Sequence, residues 1–141
     1  MTIHVKQIQG LALAARSDSN HWVTMDGPVE LGGSEAASRP MEVLLMALGG
    51  CTAMDVISIL KKKRAPVEDF EIEIDAERAK EHPKVYTKIH IKYVVHGLGV
   101  KPQDVERAVE LSEGTYCAIT AMLGKTAEMS SSYEIRDPTS V

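Results

Sequence analysis

The chain has 141 residues, of which 44% are hydrophobic and only 4% aromatic, and its formal net charge at pH 7 is -4. This length and composition predict a single globular domain over residues 1–141, with a core of Leu, Ile, Val, Met and Ala side chains. A nucleic-acid partner requires clustered Lys and Arg residues and aromatic rings for stacking. The composition therefore argues against a nucleic-acid-binding protein.

The cysteines and the N-terminal sequence bound the compartment and the chemistry. The first ten residues lack the apolar core and cleavage site of a secretory signal, so we expect a cytoplasmic protein. In a reducing compartment, cysteines without CxxC spacing are more often buried or catalytic than joined in a standing disulfide. Scattered histidines and isolated glycine pairs match no metal or phosphate-binding pattern. We therefore predict neither a metal nor a cofactor.

Three short strands are predicted at the N-terminus, because β-forming residues alternate there with glycine and polar turns. The predicted strands cover residues 2–8, 11–16 and 21–25. The segment 31–38, rich in Gly, Ser and Ala, is predicted to be a flexible approach to the next element.

The longest apolar stretch predicts a helix over residues 40–64. Pro40 suits the first helical position, and four basic residues suit the negative end of the helix dipole. Residues 43–54 are apolar on nearly every side, which predicts burial on all faces and help from a second subunit. The uncharged span is about a dozen residues, short of the roughly 20 that cross a membrane, so no membrane contact is expected. The pair Gly49-Gly50 disfavours a helix by about 1 kcal/mol per residue, which predicts close backbone approach there.

An antiparallel hairpin is predicted next, because apolar residues occupy alternate positions in segments 70–76 and 85–96. The predicted register puts apolar residues opposite apolar residues and acidic residues opposite basic ones. Its pairs are Phe70 with Tyr93, Ile72 with Ile91, Ile74 with Ile89, Glu71 with Lys92, Glu73 with His90 and Asp75 with Lys88.

The C-terminal third predicts two helices and a last strand. An amphipathic helix covers residues 101–112, a short helix covers 116–124 with Cys117 in its first turn, and the strand covers 127–135. This order of elements is typical of an α+β fold in which antiparallel sheets pack on a long buried central helix.

The two thiols carry the strongest indication of chemistry. Cys51 follows a glycine pair that opens space beside it, and Cys117 is predicted at a helix N-terminus, a position that favours the thiolate form. Peroxide reduction requires an attacking thiol, which becomes a sulfenic acid, and a resolving thiol, which condenses with it to a disulfide. A free cysteine is also commonly a small buried hydrophobe, and for Cys51 that interpretation stays open.

The two cysteine-containing segments and a short C-terminal segment resemble the OsmC/Ohr family of bacterial hydroperoxide-reducing proteins. They read PMEVLLMALGGCTAMDV over 40–56, LSEGTYCAI over 111–119 and SYEI over 132–135. The resemblance spans essentially the whole chain. It implies an OsmC-like fold and an intertwined homodimer with an active site at each side of the subunit interface. It also implies that Cys51 is the peroxidatic and Cys117 the resolving cysteine, with organic hydroperoxides as substrates and dithiols or lipoylated proteins as reductants.

The chain departs from the pattern of the family's peroxidases at two positions. Met41 stands where an acidic residue follows the motif proline, and Leu31 stands where an arginine precedes the cysteine. Arg39, Arg16 and Glu42 are the candidate replacements.

Glu42 and Asp55 flank the first cysteine on the predicted helix. Glu42 precedes Cys51 by nine residues, a rise of about 13 Å along a continuous helix. It would reach a thiol only from an unwound helix start or from the partner subunit. Asp55 lies one turn after Cys51, where a carboxylate raises the pKa of a thiol unless the carboxylate is paired.

We therefore expect a Cys-dependent thiol peroxidase that reduces organic hydroperoxides in oxidative or osmotic stress defence. The alternative, from another class, is a noncatalytic stress-associated protein that binds a small apolar ligand at its dimer interface. An arginine within reach of Cys51 would favour the enzyme, and a sealed, neutral thiol would favour the binding protein.

Overall fold

The computed structural model describes residues 1–139, which form six strands and three α-helices in an α+β arrangement. The elements are β1 His4–Gln9, β2 Ala12–Arg16, β3 Trp22–Met25, α1 Pro40–Lys62, β4 Asp69–Arg78, β5 Tyr86–His96, α2 Pro102–Leu111, α3 Ala118–Leu123 and β6 Glu128–Arg136. The predicted order and type of these elements are confirmed, with ends that shift by one to a few residues. The chain forms two compact units, Met1–Met46 and the part from Ala47 onward.

The first unit is built on an antiparallel sheet in the order β1-β2-β3. Gly10 joins the first two strands with a φ of 58°, in the left-handed region that glycine enters without steric cost. A 3-10 turn, Val29–Leu31, follows the sheet. The unit ends with the first residues of α1.

Asp26 organises the segment that the sequence predicted to be flexible. Asp26 is only 2% exposed. Its carboxylate accepts hydrogen bonds from the backbone N–H groups of Gly27, Ser34 and Ala36 at 2.7, 3.2 and 3.1 Å. These bonds, the one from Gly27 foremost, hold the pKa of Asp26 below its usual range. The segment 31–38 is therefore anchored by a buried carboxylate that the hydrophobic pattern did not reveal.

The second unit contains a three-stranded sheet in the order β4-β5-β6. Strands β4 and β5 are antiparallel, whereas β6 runs parallel to β5. The prediction of purely antiparallel sheets is therefore wrong for β6. The reason lies in the connection, because the chain crosses back through α2 and α3 before β6 begins, and a helical crossover of this kind joins parallel strands.

The hairpin has the predicted faces, but the predicted register is wrong by two residues. Phe70 lies opposite Val95 and Ile74 lies opposite Ile91, so Tyr93 faces Ile72. A shift by two keeps apolar residues opposite apolar ones, because side chains alternate with a period of two. It also gives Glu73 a basic partner, Lys92, in an ion pair at 3.6 Å, although Glu71 now lies opposite Val94. The alternation in the sequence could therefore not distinguish the two registers. The observed pairs are Phe70 with Val95, Glu71 with Val94, Ile72 with Tyr93, Glu73 with Lys92, Ile74 with Ile91, Asp75 with His90 and Ala76 with Ile89.

Helix α1 packs on this sheet through one stripe of every fourth residue. The stripe consists of Leu48, Thr52, Val56 and Leu60, all of them buried. A Cβ atom added at Gly49 would lie 3.3 Å from Ile74 Cδ1, so this glycine permits the close approach predicted for the pair. At Gly50 an added Cβ would meet no described atom within 4 Å, so the prediction is confirmed for Gly49 alone.

The prediction that α1 is buried on all faces is wrong for the single chain. Met46 and Met54, both inside the apolar stretch, are 58% and 74% exposed, and Ile57, just beyond it, is 46% exposed. The reason is geometric, since the β4-β5-β6 sheet lies against the side of the helix that carries Gly49 and Thr52. Part of the apolar surface of the helix, including Met54 and Ile57, is open to solvent in the monomer.

By length and composition alone, α1 is long and apolar enough to cross a membrane. This differs from the prediction that its uncharged span is too short to do so. The core helix of a soluble protein passes the same test. The hydroxyl of Thr52 lies 2.7 Å from the hydroxyl of Tyr93 on β5, within a packed protein interior. We therefore interpret α1 as a core helix.

The buried face of the hairpin yields a prediction about stability. Ile91 is 1% exposed, so Ile91→Ala should lower the free energy of unfolding by about 2–5 kcal/mol. Glu73 is exposed, so Glu73→Ala should lower it by less than about 1 kcal/mol. Equilibrium urea denaturation measures both values. Equal losses would show that the buried face has been assigned wrongly.

Asp26 yields a second prediction, on stability in acid. Because its folded-state pKa lies below the unfolded value, near 3.8, the ionised carboxylate stabilises the fold above that pH. This contribution is lost as the pH falls through the folded pKa. Asp26→Asn should therefore lower the melting temperature at neutral pH and weaken its further fall in acid. Circular dichroism melts across this range measure both effects. The exposed Asp18→Asn is the control, and an unchanged acid dependence in Asp26→Asn would contradict the assignment.

Candidate functional site

The two cysteines lie side by side in the second unit, although they are far apart in sequence. The two Sγ atoms and a carboxylate oxygen of Asp55 all lie within 4.8 Å of one another. Cys51 is half-buried on α1, Cys117 is buried, and both are free thiols. The structure therefore places the two predicted site residues together, while their catalytic role stays a prediction.

The backbone between α2 and α3 positions the second thiol. A π-helical turn, Ser112–Tyr116, continues α2. The expectation that the helix breaks at Gly114 is therefore wrong. The backbone N–H of Cys117 donates to the carbonyl of Ser112 at 2.7 Å and closes this turn. Such π-turns occur frequently at functional sites.

Cys117 is the N-cap residue of α3 rather than a residue of its first turn. Its Sγ atom accepts a hydrogen bond from the backbone N–H of Thr120 at 3.4 Å. The Cys117 sulfur therefore faces the start of α3, with the Cys51 sulfur within 4.8 Å of it. The prediction of a thiol at the start of this helix is therefore correct to within one residue.

The pKa of the Cys51 thiol is raised above its usual value of 9.0. Burial is the largest cause, and the hydrogen bond with Cys117 adds to it. The charge of Asp55 raises the pKa further, whereas the Ile119 N–H lowers it. In the single chain, the neutral thiol is therefore the favoured form of Cys51.

Arg39 and Glu42, the predicted supporting residues, both contribute to the start of α1. The backbone N–H of Arg39 donates to Glu42 Oε2 at 2.8 Å, as in one half of a capping box. The guanidinium of Arg39 pairs with Glu35 at 3.3 Å. Because α1 is regular from Pro40 onward, the unwound start that would bring Glu42 to Cys51 of the same chain is not formed.

The other positions highlighted by the family pattern lie on the first unit. The guanidinium of Arg16 lies 5.2 Å from the ring centre of Trp22 and donates to Asn20 at 2.9 Å. Leu31, at the position of the family's arginine, is exposed at the end of the 3-10 turn. These contacts give Arg16 a structural role at the end of β2, the central strand of its sheet.

Two thiols and a carboxylate in one place could also be considered as a metal site. They supply three donor atoms, one fewer than the protein ligands of a structural zinc site and as many as those of a catalytic one. One oxygen of Asp55 already accepts a hydrogen bond from the hydroxyl of Ser112 at 3.1 Å. We therefore interpret the group as a thiol pair beside a carboxylate.

A buried chain of hydroxyl groups, which no sequence pattern predicted, extends from Asp55. The Ser112 hydroxyl contacts the Thr52 hydroxyl at 2.8 Å, and Thr52 contacts the Tyr93 hydroxyl at 2.7 Å. Tyr93 donates to Glu113 Oε1 at 2.9 Å. Burial raises the pKa of Tyr93 far above its usual value. We call Thr52, Ser112 and Tyr93 the hydroxyl chain.

The sequence carries one indication of the hydroxyl chain, which is the presence of polar residues at positions predicted to be buried. Thr52 interrupts the apolar stretch of α1, and Tyr93 lies on the apolar face of β5. A buried hydroxyl requires a hydrogen-bond partner. The partners lie more than forty positions apart in sequence, so no local pattern could identify them.

A separate cavity of about 400 Å³ lies between the C-terminal part of α1 and the start of β4. Its apolar lining includes Ile57, Leu60, Val67 and Phe70. Neither cysteine lines it. This cavity is therefore distinct from the thiol pair.

Known proteins resemble this chain in both sequence and structure. The family model for OsmC-like protein matches residues 32–132. Protein YhfA of Escherichia coli strain K12 is 41% identical over 135 residues, which cover 96% of this chain and 98% of YhfA.

Two solved structures illustrate the range of structural similarity. A hypothetical protein from Aquifex aeolicus VF5 has a TM-score of 0.85 at 32% identity and covers 96% of each chain. The organic hydroperoxide resistance protein OhrB of Bacillus subtilis has a TM-score of 0.62 at 16% identity, over 95% of this chain and 98% of its own. The latter likeness shows a shared fold. With both cysteines inside the matched segment, the chain belongs to the OsmC-like protein family.

Proposed function

We propose that the protein is a Cys-dependent thiol peroxidase that reduces organic hydroperoxides and acts in oxidative or osmotic stress defence. The observation that carries the proposal is the approach of the Cys51 and Cys117 sulfur atoms to within 4.8 Å. Membership of the OsmC-like family supports it. The substrate class follows the name of the structurally similar OhrB of Bacillus subtilis.

The proposed reaction needs no cofactor. The Cys51 thiolate attacks an oxygen of the O–O bond, which forms Cys51–SOH and an alkoxide that takes up a proton to leave as an alcohol. The Cys117 thiolate then attacks the sulfenic sulfur and forms the Cys51–Cys117 disulfide, while the displaced hydroxide takes up a proton to leave as water. A dithiol, free or on a lipoylated protein, reduces the disulfide in the cytoplasm and is itself oxidised.

The geometry of Cys117 fits the resolving role. An S–S bond is about 2.0 Å long, so the two sulfur atoms must come closer than they lie in the reduced protein. Cys117 lies at the junction between a π-helical turn and α3, whereas Cys51 lies inside a long helix. We assign the movement to the Cys117 side.

We also propose that two copies of the chain form the functional unit. The exposed apolar faces of α1, with Met54 and Ile57, require a covering partner in water. A second copy would cover them by pairing the two α1 helices. It would also offer a route by which Arg39 and Glu42 act on the thiol pair of the opposite subunit.

The dimer is tested by mass in solution. We expect light scattering at micromolar concentration to give twice the 15.4 kDa chain mass, because a stable interface of this kind buries more than about 2000 Å². Met54→Glu should shift the equilibrium toward the monomer. Leu98→Glu, at an exposed apolar position outside α1, is the control. A monomeric mass for the wild type would contradict the proposal.

The peroxidase is tested by turnover and by trapping. The wild type should consume cumene hydroperoxide with dihydrolipoamide as reductant, and Cys51→Ser should abolish this activity. Without a resolving thiol, Cys117→Ser should accumulate sulfenic or overoxidised Cys51, which mass spectrometry detects. Equal turnover by the wild type and Cys51→Ser would overturn the assignment.

The cavity beside α1 favours one second candidate, a noncatalytic protein that binds a small apolar ligand. Its volume of about 400 Å³ falls in the range of small-molecule sites. Two results together would favour this function over the peroxidase. The protein would bind an apolar fluorescent probe and lose this binding in Ile57→Glu, and it would show no peroxide turnover.

A further inference from the structure

The hydroxyl chain connects two carboxylates that lie on different elements. Asp55 of α1 contacts Ser112, and Glu113 of the π-helical turn contacts Tyr93. The residues Thr52, Ser112 and Tyr93 are each 0% exposed. The five groups thus form one line of hydrogen-bond contacts, in the order Asp55, Ser112, Thr52, Tyr93 and Glu113, with oxygen–oxygen distances of 3.1, 2.8, 2.7 and 2.9 Å.

The number of hydrogen atoms in this line does not match the number of contacts. Each hydroxyl group carries one hydrogen atom and an ionised carboxylate carries none. Three hydroxyl groups therefore supply three hydrogen atoms to four contacts. If Ser112 donates to Asp55 and Tyr93 donates to Glu113, Thr52 has one hydrogen atom for two neighbours. One of the two contacts of Thr52, with Ser112 at 2.8 Å or with Tyr93 at 2.7 Å, would then lack a hydrogen atom, and two oxygen lone pairs would face each other.

We propose that the line holds one additional proton, shared between Asp55 and Glu113, so that one of these two carboxyl groups is neutral in the native protein at neutral pH. With the proton on Glu113, each hydroxyl donates toward Asp55. With the proton on Asp55, each hydroxyl donates toward Glu113. A concerted shift of the four hydrogen atoms converts one arrangement into the other.

The two arrangements differ in where the negative charge lies. When Asp55 is neutral, the charge lies on Glu113, whose second oxygen accepts a hydrogen bond from Ser131 at 3.1 Å. When Glu113 is neutral, the charge lies on Asp55, beside the sulfur atoms of Cys51 and Cys117. Among the described contacts of the line, the titratable groups are the two thiols beside Asp55 and the Tyr93 hydroxyl within the line.

This shift gives Asp55 and Glu113 a role in the thiol chemistry. Moving the charge to Glu113 removes the electrostatic opposition of Asp55 to a Cys51 thiolate. In the other arrangement, ionised Asp55 can accept the proton of a neutral thiol. The line thus makes Thr52, Tyr93 and Glu113 positioning residues for Cys51. This use of the proton rests on the proposed peroxidase, whereas the presence of the proton does not.

Infrared spectroscopy tests the proton itself. The wild type at neutral pH should show the C=O stretch of a protonated carboxylic acid, and Thr52→Ser should keep it. Thr52→Val divides the line into two pairs that each have enough hydrogen atoms, so the band should disappear. Asp55→Asn and Glu113→Gln should also remove it, because an amide N–H supplies the missing hydrogen atom.

A matched control is available elsewhere in the second unit. The Tyr133 hydroxyl donates to Glu106 Oε1 at 2.6 Å, one hydrogen atom for one contact. Glu106→Gln should therefore leave the band unchanged. If circular dichroism shows that Thr52→Val is misfolded, Glu113→Gln decides the test, because Glu113 is only half-buried.

The reactivity of the Cys51 thiol provides a second readout. If Thr52 had a purely structural role, Thr52→Val and Asp55→Asn would not shift this reactivity in opposite directions. In a Cys117→Ser background, the pH dependence of Cys51 alkylation should move to higher pH in Thr52→Val, where Asp55 is permanently ionised. It should move to lower pH in Asp55→Asn. Alkylation at neutral pH should be several-fold slower in the first variant and several-fold faster in the second.

The outcomes separate this inference from the proposed function. Absence of the band from the wild type, or its persistence in Glu113→Gln, overturns the shared proton even if the protein reduces peroxide. A band that the variants remove as expected supports the shared proton even if no peroxide is consumed. Equal alkylation profiles in all variants would overturn the role assigned to the line.

Discussion

The contact between α1 and β5 at Thr52 and Tyr93 is the interaction on which the site depends. It places a polar group in the middle of the helix stripe that packs on the sheet, while Gly49 lets the helix backbone approach Ile74. Burial of these hydroxyl groups requires hydrogen-bond partners, and Ser112 supplies one from the end of α2. Because Cys51 adjoins Thr52 in sequence, the same contact fixes the thiol against the turn that carries Cys117.

The thiol pair therefore lies in a surrounding that is polar but poorly solvated. Burial and the neighbouring carboxylate both favour the neutral form of Cys51, and a single backbone N–H opposes them. An efficient peroxidatic thiol needs a source of positive charge or a way to remove negative charge. In the proposed dimer, Arg39 of the partner subunit would supply the positive charge. The proton shared by Asp55 and Glu113 would remove negative charge from beside Cys51 within the same polypeptide.

Local sequence patterns predicted the elements well but not their long-range relations. The continuous apolar run of α1 and the alternation in β4 and β5 are local features of the sequence, so the extents of these elements were predictable. The hairpin register was not, because a shift by two keeps the apolar face of each strand unchanged and sets most residues opposite a partner of the same type, with Glu71 opposite Val94 as the exception. The parallel strand β6 depends on a crossover that no local pattern encodes. Likewise, Cys51 and Cys117 were identified as candidates, whereas their neighbours Thr52, Ser112 and Tyr93 become a group only in three dimensions.

The central claim is that Cys51 and Cys117 form one redox unit. Its most direct test is to count free thiols by alkylation and mass spectrometry after addition of one equivalent of cumene hydroperoxide. We expect both thiols to be lost together and a peptide linked through Cys51 and Cys117 to appear, while Cys51→Ser keeps its remaining thiol. If both thiols of the wild type remain alkylatable, the claim is contradicted.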